Sequence, residues 1–71
     1  MNKTVLFLLL CIDHDMDMME LMMQGFTKEM HDALKYIREE KLATPLTTTT
    51  FKLSDKGLQV IKLAENSLNN P

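Results

Sequence analysis

The sequence predicts a mainly α-helical chain that carries a small β-hairpin, in the order helix, helix, helix, hairpin, helix. Apolar residues recur at helical spacing in most of the chain, which predicts the helices. A threonine-rich stretch that begins after a proline interrupts this spacing before the last helix, and it favours extended backbone. At 71 residues, the chain is expected to form one domain that spans residues 1–71.

Charge is distributed unevenly along the chain. The formal net charge is −2, so the chain as a whole has no general attraction for nucleic acid. Residues 1–25 carry one lysine against four acidic residues, whereas residues 26–71 carry seven basic residues against six acidic ones. Any positive surface must therefore come from the second half of the chain. The single cysteine, Cys11, cannot form an internal disulfide, which suits a reducing cytoplasm.

The first predicted helix, residues 3–13, is apolar on every side over the run VLFLLLCI. A helix of this kind is normally buried on more than one face. In so short a chain, we expect one face to pack on the core and the other on a second copy of the chain. The alternative is a helix that its own subunit encloses completely. The residues expected at the dimer interface are Val5, Phe7, Leu8, Leu9 and Ile12.

The same stretch has some features of an export signal, since a lysine precedes a short apolar run and Cys11 follows it. However, Leu9 and Leu10 stand where a cleavage site requires small residues, and the run is too short to span a membrane. We therefore expect no membrane association, and an uncleaved or cleaved anchor is the alternative that the sequence leaves open.

The second predicted helix, residues 17–24, begins at a capping box formed by Asp17 and Glu20 and ends at Gly25. It is expected to bury Leu21 and Met22, with the neighbouring methionines filling the core. The preceding DHDMD run does not fit a calcium loop, because its sixth position is methionine instead of glycine and its twelfth is Gln24. We expect neither a metal site nor a cofactor.

The third predicted helix, residues 27–41, has the clearest periodicity, with Thr27 as N-cap. The residues expected on its buried face are Phe26, Met30, Ala33, Leu34 and Ile37. A hairpin is predicted over residues 42–53, with its turn near 47–49. The last predicted helix, residues 54–68, begins with Ser54 as N-cap. The apolar stripe expected on this helix consists of Leu58, Ile61, Ala64 and Leu68, broadened by Val60 and Leu63.

The stretch ALKYIREEKLATPLTTTTFKLSDKGLQVIKL resembles the winged helix-turn-helix family. That family has a recognition helix that ends in a leucine-containing turn, then a hairpin wing, and then an LT-x-KG element that opens the last helix. Leu53, Ser54, Lys56 and Gly57 match this element, with serine in place of threonine. The resemblance covers roughly residues 17–68.

Two departures from the family pattern concern the recognition helix. Glycine often stands where this chain has Lys41, so a looser exit from the helix is expected. The turn MMQGFT before the helix is about two residues shorter than is usual in the family. The QGF…AL pattern also resembles a ubiquitin-associated module, but its spacing is off by one and that fold has no hairpin.

The resemblance implies that the third helix lies in the major groove of duplex DNA while the wing touches the backbone or the minor groove. The helix residues that would face the groove are Thr27, Lys28, His31, Asp32, Lys35 and Arg38. Further contacts are expected from Thr48, Thr49 and Lys52 of the wing and from Lys56 of the last helix.

Two functions remain open at this level. The first is a small winged-helix regulator of transcription, of the size of phage or bacterial regulators, that binds DNA as a homodimer in the cytoplasm. The second is a winged-helix module that binds a host or partner protein without touching DNA. An enzyme is not expected, because the sequence offers no nucleophile–base arrangement and no glycine-rich phosphate loop.

Overall fold

The computed structural model describes residues 2–69, and the side chains of residues 2–67. The helices are α1 (Lys3–Asp13), α2 (Met18–Gly25), α3 (Lys28–Glu39) and α4 (Asp55–Asn69), and the strands are β1 (Ala43–Pro45) and β2 (Phe51–Leu53). The predicted class and element order are therefore confirmed. The predicted place of Leu68 in the α4 stripe lies outside the described side chains.

Polar side chains cap the N-termini of α2 and α3 at the positions predicted from the sequence. The Asp17 carboxylate accepts a hydrogen bond from the Met19 amide at 2.8 Å, and the Thr27 hydroxyl accepts one from the Met30 amide at 3.2 Å. These bonds satisfy amides that have no partner inside the first helical turn. The expected caps Asp17 and Thr27 are confirmed, and Gly25 at the end of α2 has a positive φ of 120°.

The exit from α3 is closed tightly although it lacks glycine. The Leu42 amide donates to the Ile37 carbonyl at 2.9 Å, and the Lys41 amide donates to the Arg38 carbonyl at 3.2 Å. This pair of bonds is a Schellman motif, which requires a left-handed residue, and Lys41 supplies it with φ 57°. The expectation of a looser exit is therefore wrong. Asp15 closes α1 in the same way, also at φ 57°.

The core forms around α1, which packs against α3, β2 and α4. Leu8 and Leu9 are completely buried, and Val5 and Ile12 are almost so. The predicted dimer interface is therefore wrong at Val5, Leu8, Leu9 and Ile12, because the chain's own core encloses them. Phe7 is the exception, since 48% of it is exposed.

The prediction that the methionines of α2 fill the core is correct for Met18 but wrong for the other three. Met18 is completely buried and Leu21 is buried beside it, whereas Met22 is 39% exposed, Met19 48% and Met23 82%. The reason is that α2 has only eight residues and turns a single narrow face inward. On α4 the expected stripe is likewise narrower, because Ile61 is buried but Leu58 and Leu63 are exposed.

The antiparallel hairpin pairs Ala43 with Leu53 and Pro45 with Phe51. Ala43 and Phe51 are buried, whereas Thr44 and its partner Lys52 are exposed. Since β1 packs on α3 and β2 packs on α1 and α4, the hairpin extends the core between these helices.

The motif that opens α4 joins three parts of the chain. The Ser54 hydroxyl donates to the Lys41 carbonyl at 2.7 Å and accepts from the Gly57 amide at 3.1 Å, which confirms Ser54 as a cap. A side chain at Gly57 would collide with the Leu42 carbonyl oxygen. Serine and glycine at these two positions therefore let the start of α4 lie directly on the exit of α3.

Candidate nucleic-acid interface

The exposed surface of α3 is divided into two rows of opposite character. Each row repeats at i, i+3, i+7 and i+10, a spacing that keeps its members on one side of a helix. Every member of both rows is exposed to solvent. The basic row consists of Lys28, His31, Lys35 and Arg38, and the acidic row consists of Glu29, Asp32, Tyr36 and Glu39.

The acidic row faces the beginning of α1. Glu29, Asp32 and Tyr36 line a groove of about 390 Å³ whose other wall includes Asn2 and Val5. Asp32, which was expected to face DNA together with the lysines, belongs to this row. Hydrophobic periodicity locates the buried side of α3, but it does not reveal that the remaining charges are sorted by sign. A helical projection of the charged residues would have shown it.

The basic row lies on the other flank of α3, next to the turn that follows α2. His31 meets the Phe26 ring edge-on, with ring centroids 6.4 Å apart. Lys35 lies 3.9 Å from Glu39, one helical turn away, and an ion pair so exposed contributes little and exchanges readily for another partner. Within residues 2–67, neither Lys28 nor Arg38 has a carboxylate within 4.0 Å.

The tip of the hairpin is organised by its own hydrogen bonds. The Thr47 hydroxyl accepts from the Thr49 amide at 3.3 Å and from the Thr50 amide at 3.1 Å, and it lies 2.6 Å from the Thr50 hydroxyl. The Thr49 carbonyl accepts a further bond from the Met18 amide of α2 at 2.9 Å. Thr49 is therefore half-buried, whereas Thr48 is exposed.

The remaining expected DNA contacts lie apart from the basic row. Lys52 lines a second groove, of about 340 Å³, together with Asp13 and Asp15 at the end of α1. Lys56 lies 3.4 Å from the carboxylate of Glu40. The structure thus brings Lys28, His31, Lys35 and Arg38 together and places both other lysines beside acidic groups. Thr27, at the start of α3, is exposed, but its hydroxyl is engaged in capping.

No group of three or more histidine, cysteine or acidic side chains in residues 2–67 is placed to hold a metal ion. Cys11 is buried, and burial raises the pKa of its thiol above the ordinary value of 9.0. Since the thiolate is the reactive form, Cys11 is a poor nucleophile in this fold.

Among residues 2–69, no helix combines the length and the apolar character needed to cross a membrane. Comparison of the chain with protein-family models, with curated proteins and with solved structures gives no match.

Proposed function

We propose that this chain is a winged-helix protein that binds duplex DNA through α3 and regulates transcription as a homodimer in the cytoplasm. The observation that carries the proposal is the basic row, a continuous exposed flank of α3 on a helix that precedes a hairpin. An α-helix fits the major groove of B-form DNA, and the helix before the hairpin is the one that enters the groove in this fold.

The dimensions of the basic row suit this role. Ten residues separate Lys28 from Arg38, which corresponds to about 15 Å along the helix axis. Lysine ammonium groups at Lys28 and Lys35 would contact phosphates, whereas the planar guanidinium of Arg38 suits a bidentate contact to guanine. Arg38 has no carboxylate within 4.0 Å among the described side chains, so it would not have to break an ion pair to bind.

The acidic row limits the affinity of a single copy of the chain for DNA. Glu29 and Asp32 lie on the same helix and would repel phosphates if α3 sat symmetrically in the groove. The helix must therefore turn its basic flank towards the backbone, and the number of phosphate contacts per copy stays small. A dimer would double this number, which is why the proposal includes self-association.

The outward face of α1 offers a surface for such a dimer. Phe7 is exposed on it, and the half-buried Leu6 and Leu10 flank Phe7 at helical spacing. Lys3 lies at one end of this face and Asp13 at the other, and both are exposed. Two copies of α1 packed antiparallel about a two-fold axis would place each Lys3 beside the acidic end of the partner helix.

Fluorescence anisotropy with labelled duplex DNA tests α3. We expect binding that weakens steeply as salt rises, because phosphate contacts release counterions. Changing Lys28 and Lys35 together to Ala should weaken binding and lower the salt slope by about 2, roughly one unit for each lost phosphate contact. Lys62→Ala removes an exposed lysine from α4, outside the basic row, and it is the matched control.

The control variant should bind almost as wild type does. Equal losses per removed charge in Lys62→Ala and in the double variant would show that only overall charge matters. An absence of binding by wild type at low salt would overturn the proposal.

A protein-binding module is the second candidate function. The observation in its favour is that α2 exposes three methionines beside the acidic first part of the chain. Such a surface is unsuited to DNA because its charge has the same sign as the phosphates.

A further inference from the structure

Three methionines form one flank of α2. Met19, Met22 and Met23 occupy positions i, i+3 and i+4, so their side chains emerge on the same side of the helix. All three are exposed, and Met23 is the most exposed large apolar residue described in the chain. We call these three residues the methionine face. The helix itself is attached to the core through Met18 and Leu21 on the opposite side.

Acidic residues lie on the helix of the methionine face and in the segment that precedes it. Glu20 lies on α2 itself, and Asp13, Asp15 and Asp17 occupy the segment just before it. No lysine or arginine occurs between Lys3 and Lys28. None of the four carboxylates forms an ion pair within the part of the chain that the structure describes. The helix of the methionine face therefore combines an apolar surface with the negative charge of Asp17 and Glu20, whereas Asp13 and Asp15 line a groove together with Lys52.

We propose that the methionine face binds a basic amphipathic helix of another protein. Methionine is flexible and polarizable, so a row of exposed methionines adapts to different apolar partners. A helix laid on such a row contributes apolar residues at i, i+3, i+4 and i+7, and lysines or arginines beside them would meet the carboxylates. The charge of the surroundings disfavours an acidic partner and a negatively charged lipid surface alike.

The chain itself does not supply such a helix in the part that the structure describes. The basic row of α3 has no exposed apolar row beside it. The two leucines that α4 exposes within residues 2–67, Leu58 and Leu63, are five positions apart and so emerge on different sides of the helix. A second copy is therefore a poor match for the methionine face. This inference deepens the second candidate function and does not depend on DNA contact by α3, so either one stands if the other fails.

Anisotropy with a short fluorescein-labelled peptide of leucine and lysine tests the proposal. In the probe, leucines occupy i, i+3, i+4 and i+7 so that the peptide forms a basic amphipathic helix, and a scrambled peptide has the same composition without that pattern. The full chain should bind the amphipathic probe and bind the scrambled one about tenfold more weakly, because only the former presents a continuous apolar row.

Two variants locate the binding. Changing Met19, Met22 and Met23 together to Gln keeps side-chain length and helix propensity but removes the apolar surface, and it should weaken binding of the amphipathic probe at least about tenfold. Leu63→Gln makes the same kind of change on α4, where 69% of the leucine is exposed, and it should leave binding unchanged. Glu20→Gln should weaken binding less and reduce its salt dependence.

Three results would overturn the proposal. The first is equal affinity for the amphipathic and the scrambled probes, which would indicate unspecific charge attraction. The second is wild-type affinity of the triple methionine variant. The third is concentration-dependent self-association of the wild type that disappears in this variant, since it would show that a second copy covers the face. Circular dichroism of each variant should match that of the wild type.

Discussion

Lys41 adopts a backbone conformation that glycine adopts more easily. Its φ of 57° belongs to the left-handed region, where the Cβ of an L-residue is crowded. The hydrogen bonds around it keep it there, because the Leu42 amide needs the Ile37 carbonyl and the Ser54 hydroxyl needs the Lys41 carbonyl. The side chain itself is exposed and makes no hydrogen bond among the described residues.

Lys41→Gly should therefore stabilise the protein. The left-handed conformation costs a non-glycine residue roughly 1–2 kcal/mol, and the greater freedom of glycine in the unfolded chain offsets part of the gain. We expect the free energy of unfolding in urea to rise by about 0.5–1 kcal/mol. Lys41→Ala removes the same charge but keeps the Cβ, so it should give no such gain. Equal effects of the two substitutions would contradict this explanation.

Individual residues also show what the sequence reveals and what it conceals. Asp17, Thr27 and Ser54 could be identified as caps because their side chains bind amides only two or three residues away. The conformation of Lys41 could not be predicted in this way, because the Ser54 hydroxyl that binds its carbonyl lies 13 residues further along the chain. A hydrogen bond between residues close in sequence can be predicted from the sequence, whereas a constraint imposed by another element cannot.

The hairpin tip gets its shape mainly from one side chain. The Thr47 hydroxyl accepts hydrogen bonds from two backbone amides and lies close to the Thr50 hydroxyl. Thr48, its neighbour, is exposed and has no hydrogen-bonded side chain among the described residues. The same substitution can therefore be compared at a hydroxyl that forms hydrogen bonds and at one that forms none among the described residues.

Thr47→Val should loosen the hairpin tip, and Thr48→Val should not. The first change removes an acceptor from two amides, and in this exposed loop we expect the free energy of unfolding to fall by about 0.5–1 kcal/mol. The amides of Thr49 and Thr50 should then exchange with deuterium faster. The outcome would contradict the described tip if both variants lost the same stability or if those amides exchanged at unchanged rates.

The helices differ in how well the sequence predicts which side of each is buried. The periodicity of α3 predicted the burial of Ala33, Leu34 and Ile37, because charged residues mark its other side. Helix α1 has no charged residue within its apolar run, so its sequence does not show which side is exposed. Phe7 is exposed because α3, β2 and α4 pack against the other sides of the helix. In α2, too few turns are present for periodicity to separate inward from outward methionines.

At the scale of the whole molecule, the proposed dimer can be tested by charge reversal on α1. Lys3→Glu and Asp13→Lys each place like charges together in an antiparallel pair of helices. Each change also puts a favourable charge at its own helix end, so neither should unfold the monomer. By sedimentation velocity, we expect each single variant to dimerise about tenfold more weakly and the double variant to recover.

Two results would contradict this arrangement. The first is a double variant that dimerises no better than the singles, which would show that Lys3 and Asp13 do not meet. The second is a wild type that sediments as a monomer at every concentration, which would rule out a dimer through the outward face of α1. Neither result would affect the prediction for α3, because DNA affinity is measured separately.

The hydrogen bond between the Met18 amide and the Thr49 carbonyl connects α2 to the hairpin. It fixes the first residue of the helix that bears the methionine face to the hairpin tip, where Thr48 and Thr49 are expected to touch DNA. A ligand that shifted α2 would strain or release this bond and so change the range of positions open to the hairpin. Thermodynamic linkage then requires reciprocity: a peptide that altered DNA affinity by some factor would find its own affinity altered by the same factor when DNA is bound.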